Sequence, residues 1–152
     1  MFYRAIIPSV IKAMSEREPN SAERLVLNTF PTIEQRRWND LLLTESVVLK
    51  DANIGPDEFA GRAAVVGALE EGFKVVKEIS FEIVSFGQQK HIDERRGRPI
   101  TVSVTTNTTT EFNPESGSEG VFTEPQVFNF DVVDGRISRI YAFQQNPPSS
   151  GD

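Results

Sequence analysis

TESVVLKDANIGPDEFAGRAAVVGALEEGFKVV, residues 44–76, read together with FNFDVVDGRISRIYAF, residues 128–143, decides the fold of this chain. The first stretch runs strand, polar loop, glycine, helix. The second is a strand, the tight turn Val133-Asp134-Gly135-Arg136 and a returning strand. One helix between short strands, followed by a terminal antiparallel meander, predicts an α+β domain: a curved sheet wrapped around N-terminal helices, with a cavity between them.

Working outward, Ser21 is placed to cap a helix whose apolar side is Leu25, Val26 and Phe30, and Pro31 is expected to stop it. Thr32 and Gln35 have capping-box form, which predicts a second helix carrying Ile33, Arg37 or Trp38, Leu41 and Leu42. Ser46–Asp51 is the first strand, 52–58 a loop and Phe59-Ala60 a very short strand. Gly61 precedes a helix marked on one face by Ala64, Val65, Ala68, Leu69, Phe73 and Val76. Strands follow at about 78–88, 99–112, 121–133 and 136–145. In the second of these, Ile100, Val102, Val104, Thr106, Thr108 and Thr110 share one side. Residues 1–20 read as an N-terminal arm or short helix, 21–145 as the domain and 146–152 as a disordered tail.

Composition narrows the function. The 152 residues suit one domain with a real core. Eleven Phe against two Tyr and one Trp supply large apolar side chains with few polar handles, suited to core packing or to a greasy pocket. A formal charge of −6 argues against nucleic acid as the main partner. The basic-leaning run at 90–98 is interrupted by Asp93 and Glu94 and reads as a solvated loop. The absence of cysteine removes disulfides, thiol nucleophiles and Cys-based metal sites, and fits a cytoplasmic protein. Pro8 and Lys12 break the mildly apolar amino terminus well short of a membrane span, so no membrane partner is expected.

The runs Leu43–Asp51, Phe59–Val66 and Val133–Ile137, in this order and spacing, resemble the nuclear transport factor two-like superfamily. Their pattern is nearest to its SnoaL-like polyketide cyclases and ketosteroid isomerase-like proteins. The resemblance covers about residues 21–145. It implies a cone-shaped half-barrel, a cystatin-like α+β roll, with a pocket between sheet and helices, no cofactor, and a homodimer through the outer sheet face. The known catalytic sets of this superfamily do not transfer whole. The isomerase base position falls on Lys50, reaching Asp51 only after a one-residue shift, and the oxyanion donor position falls at Phe128 or Asn129. The last-strand aspartate of the epoxide hydrolases reads Ala142 here.

Within that frame, individual residues stand out. Asp51 shares a strand face with Val47 and Leu49; it is either a proton acceptor at the rim of an apolar cavity or a turn aspartate capping the 52–58 loop. Gln126 shares parity with Phe128 and Phe130 and is expected to line the pocket, with Glu124 nearer the hairpin. Tyr141 could donate to an enolate oxygen, or its parity opposite Ala142 could aim it at the outer face. Trp38, Phe81, Thr106, Thr108 and Phe128 complete the expected substrate-binding set. His91, the sole histidine, sits in the charged loop and excludes both a multi-histidine metal site and a Ser-His-Asp triad. Two functions remain open. One is cofactor-independent isomerisation, cyclisation or dehydration of a polyketide- or terpenoid-like carbonyl compound. The other is a non-catalytic binding or dimerisation module whose phenylalanines fill the cone.

Overall fold

The computed structural model describes residues 18–52, 55, 57–88, 99–117 and 120–144. Most of the N-terminal arm, the 90–98 loop and the 146–152 tail lie outside these residues. Helix α1 (Ser21–Glu34) leads into a 3₁₀ turn at Trp38–Asp40. Then follow β1 (Leu43–Asp51), β2 (Glu58–Ala60), α2 (Arg62–Gly72), β3 (Val76–Gln88), β4 (Ile100–Phe112), β5 (Gly120–Val133) and β6 (Arg136–Gln144). The six strands form one curved open sheet in the order β2-β1-β6-β5-β4-β3.

The sheet is antiparallel except at one pair next to the β2 edge. There β1 runs parallel to β6, pairing Leu49 with Ile140 and Asp51 with Ala142. Helix α2 supplies part of the long crossover that a parallel pair requires. The Asp134-Gly135 turn between β5 and β6 has both residues in the left-handed region, at φ 50° and 74°. This matches the twist of a two-residue hairpin. At Gly61 a φ of 96° accompanies a backbone N–H donated to the Val47 carbonyl at 2.8 Å. An added Cβ would meet only the Glu45 carbonyl, at an ordinary contact distance of 4.0 Å, so the backbone angle is what calls for glycine.

Helix α1 departs from the expected pattern. Its cap is Asn20, not Ser21, in a reciprocal capping box with Glu23. It also continues through Pro31, which is buried within it. Stopping at Pro31 would strand Ile33, which belongs to the core; near the helix end a proline forfeits only one backbone bond. Thr32 therefore caps no second helix, and its hydroxyl donates back to the Asn28 carbonyl at 3.0 Å. Arg36, with φ 57°, ends the segment by donating to the carbonyls of Phe73, Val76 and Lys77.

The core lies between α1 and the concave sheet face. Phe30 is almost wholly buried, and its ring meets Phe81, Phe128 and Phe130 edge-on at centroid distances of 5.0, 5.1 and 5.7 Å. Val26, Leu27 and Ile33 bury beside it. Truncating Phe30 to alanine removes the common partner of three rings. Phe30→Ala is expected to cost about 3–5 kcal/mol, read as a lower urea midpoint at unchanged m-value. Phe122→Ala, at an exposed ring that meets Phe112, should cost about 1 kcal/mol or less.

Candidate functional site at the upper end of the cone

Strict alternation carries β4 and β5 past the helix with their inward positions set by parity. Along β4 the buried residues are Val102, Val104, Thr106 and Thr108; along β5 they are Gln126, Phe128, Phe130 and Val132. Register places Thr106 opposite Gln126 and Val104 opposite Phe128. On the other flank, Thr108 faces Phe81 and Thr106 faces Ile83. Phe81, Thr106, Thr108, Gln126 and Phe128, named from sequence, thus form one patch on three neighbouring strands.

This patch is the polar interruption of an apolar wall. Thr106 is wholly buried, and its hydroxyl lies 2.7 Å from that of Thr108. One proton serves that bond, leaving the second hydroxyl proton of the pair for another acceptor. The Gln126 side chain, 9% exposed, adds a primary amide beside them.

Asp51 lies at the edge of the same concave surface. Its strand buries Val47 and Leu49 and turns Lys50 to solvent, which gives Asp51 the inward parity. Through Ala142 it stands in one row with Phe128, two strand spacings or about 10 Å away. Its carbonyl also accepts from Gly55 N at 3.0 Å, so the residue anchors the following turn as well as edging the concavity.

Tyr141 and Trp38 do not join this group. Tyr141 pairs with Asn129, on the opposite face from the inward Phe128–Ala142 pair. Its hydroxyl donates to Glu58 at 2.9 Å, and the Arg139 guanidinium lies 4.8 Å from its ring centroid. The hydrogen bond to Glu58 raises the phenol above its ordinary value. The expected pairing of Asp51 with Tyr141 inside one cavity is therefore not made, because a period of two sends neighbouring side chains to opposite faces. Trp38 sits on the 3₁₀ turn, half-buried, with its ring 5.0 Å from Phe73.

Glu34 was missed by sequence reading. It ends α1, and its carboxylate accepts the Phe81 backbone N–H at 2.8 Å, closing a free position on the edge strand. Burial raises its carboxyl above the ordinary range, and the Phe81 hydrogen bond opposes that rise. Only the tertiary approach of α1 to β3 reveals it. Among the described residues, no three His, Cys, Asp or Glu side chains gather as a metal-holding group. No helix among them is long and apolar enough to cross a membrane.

Comparison with solved structures places this architecture. A proposed SnoaL-like polyketide cyclase from Shewanella putrefaciens superposes with a TM-score of 0.64 at 15% identity, covering 83% of this chain and 90% of that one. A proposed scytalone dehydratase from Novosphingobium aromaticivorans gives 0.67 at 14% identity, covering 83% of each chain. An epoxide hydrolase of the LEH-like type from M. tuberculosis gives 0.62 at 16% identity, covering 82% and 83%. The fold is the SnoaL-like, ketosteroid isomerase-like cone. At these identities the likeness is one of fold, and unrelated chemistries share such a frame. No protein-family model matches the chain, and no curated protein matches it by sequence.

Within this cone fold, Glu34 makes stability depend on pH. Because its folded-state pKa is raised, the folded chain holds this proton more tightly than the unfolded chain. Its contribution to stability therefore falls as pH rises from the ordinary carboxylate range through the raised value. Glu34→Gln keeps an oxygen for the Phe81 N–H and removes the charge. The variant should gain in Tm over wild type as pH rises from about 4 to 7, with the difference levelling off below the ordinary carboxylate pKa. Parallel melting curves across that range would refute this assignment.

Proposed function

We propose that the chain binds a small, largely apolar carbonyl compound, polyketide- or terpenoid-like, at the upper end of the cone. There it acts as a cofactor-independent isomerase, cyclase or dehydratase. The observation that carries this reading is the buried Thr106–Thr108 pair with Gln126, set among Phe81 and Phe128. Buried polar groups are costly unless they are partnered. Few polar groups in an apolar wall are the usual means of orienting a ligand. The fold shared with a proposed polyketide cyclase and a proposed scytalone dehydratase supports the same class.

In this reading Asp51 takes a proton from carbon next to the carbonyl, and negative charge develops on the carbonyl oxygen. The Gln126 amide and the free hydroxyl proton of the threonine pair donate to that oxygen, then the proton returns to a different atom. Tyr141 takes no part from the outer face. That face, with Tyr141, Val127 and the exposed Phe143, would instead support a cytoplasmic homodimer. A second reading is favoured by the ring cluster itself. Phe30, Phe81, Phe128 and Phe130 fill much of the concavity, as a non-catalytic binding or dimerisation module would require.

The test is deuterium exchange at the acidic C–H of 2-tetralone in D₂O, followed by proton NMR. Wild-type protein should accelerate exchange over buffer. Asp51→Asn should lose at least about 100-fold, and Gln126→Leu about 100-fold or more. Native mass spectrometry of the same samples would show ligand retained by both variants. Full exchange by Asp51→Asn would remove the proposed base, and no acceleration by wild type would favour the non-catalytic module.

A further inference from the structure

The strand faces that carry the Thr106–Gln126 patch do not end with it. The β4–β5 ladder runs in register from the Ile100–Val132 pair to the Phe112–Gly120 pair without a bulge. A period of two therefore carries the same face on through Thr108, Thr110 and Phe112 on β4, and through Glu124 and Phe122 on β5. Burial declines along it. Thr106 is wholly buried, Glu124 is half-buried and Phe122 is 47% exposed. The row thus leads from the buried hydroxyls out to the surface, and it finishes on two rings.

Those rings hold one another in place. Phe112 and Phe122 meet edge-on, with centroids 5.8 Å apart and planes at 63°. Gly120, directly opposite Phe112, leaves room for the meeting: a Cβ built there would stand 3.7 Å from two atoms of the Phe122 ring. The pair is a fixed aromatic platform, and its outer ring stays half open to water. Apolar surface of that kind gains free energy only when another apolar group covers it.

We infer that Phe112 and Phe122 select the ligand by its length. They receive the flat apolar end of an elongated carbonyl compound whose oxygen lies at Thr106, Thr108 and Gln126. This rests on the proposed carbonyl site and adds a second point of recognition to it. The spacing sets the requirement. Four residues separate Phe122 from Gln126, about 13 Å along the strand. A bicyclic ketone held at Gln126 falls short of the ring pair, whereas one extended by a further aryl group reaches it. Ring-on-ring contact then adds to the gain from covering Phe122.

Titration of the full chain with 2-tetralone and with 6-phenyl-2-tetralone, followed by protein NMR, tests this. Wild type should bind the longer ketone at least about 10-fold more tightly, as burial of one more apolar ring allows. Phe122→Ala should bring the Kd of the longer ketone up to that of 2-tetralone, and Phe122→Trp, which keeps a flat ring, should retain the margin. Equal affinity of wild type for the two ketones would overturn the length selection and leave the carbonyl site standing. A margin that survives Phe122→Ala would do the same. Failure of wild type to bind either ketone would overturn both readings. Phe122 signals that shift with protein concentration in the absence of ligand would assign the ring pair to a second copy of the chain, and the inference would fall.

Discussion

Everything else in this molecule depends on one helix lying in the hollow of the sheet, held there by Phe30. A curved sheet exposes a concave apolar surface that nothing within the sheet can cover. Phe30 meets Phe81, Phe128 and Phe130 from three strands at once, in the edge-to-face geometry that aromatic rings prefer. The polar contacts at the helix ends keep that ring in register. Asn20 donates to Gln88 at one end, and at the other Arg36 donates to the start of β3 while Glu34 accepts from Phe81 further along it. The proline at position 31 is tolerated because burial of Phe30 and Ile33 outweighs one missing backbone bond.

The same packing sets the terms for function. The rings occupy the concavity, and beside them, at the C-terminal end of α1, Phe81 faces Thr108 across β3 and β4. That is where the buried hydroxyls and the amide are found. Thr106 and Thr108 satisfy one another at an internal hydrogen bond, which lowers the cost of burying them while keeping a proton to offer. Under the proposed function, this patch would orient a ligand by its polar end. The outer face is organised differently: Thr101 with Asp131, Ser103 with Asn129 and Tyr141 with Glu58 form cross-strand polar pairs suited to water or to another polar surface.

Much of this was legible in the residues. The alternation of Val102, Val104, Thr106 and Thr108 gave their common face, and Asp134-Gly135 gave the hairpin turn. The Gly61 boundary, and the faces that Gln126 shares with Phe128 and Asp51 with Leu49, were equally plain. The course of α1 was not, because a local rule about proline competes with long-range burial that no local pattern contains. Glu34 was invisible for the same reason: its partner, Phe81, lies 47 residues away.

The sequence by itself determined the α+β class, the strand order along the chain and which side chains share a face, since the periods of helix and strand are local properties of the backbone. Tertiary structure alone decided which face of each strand is inside. It sent Tyr141 outward to Glu58, put Trp38 against Phe73, and made β1 and β6 parallel in a sheet otherwise antiparallel. Each of these outcomes depends on where the concavity closes around Phe30, a balance of contacts among residues far apart in the chain.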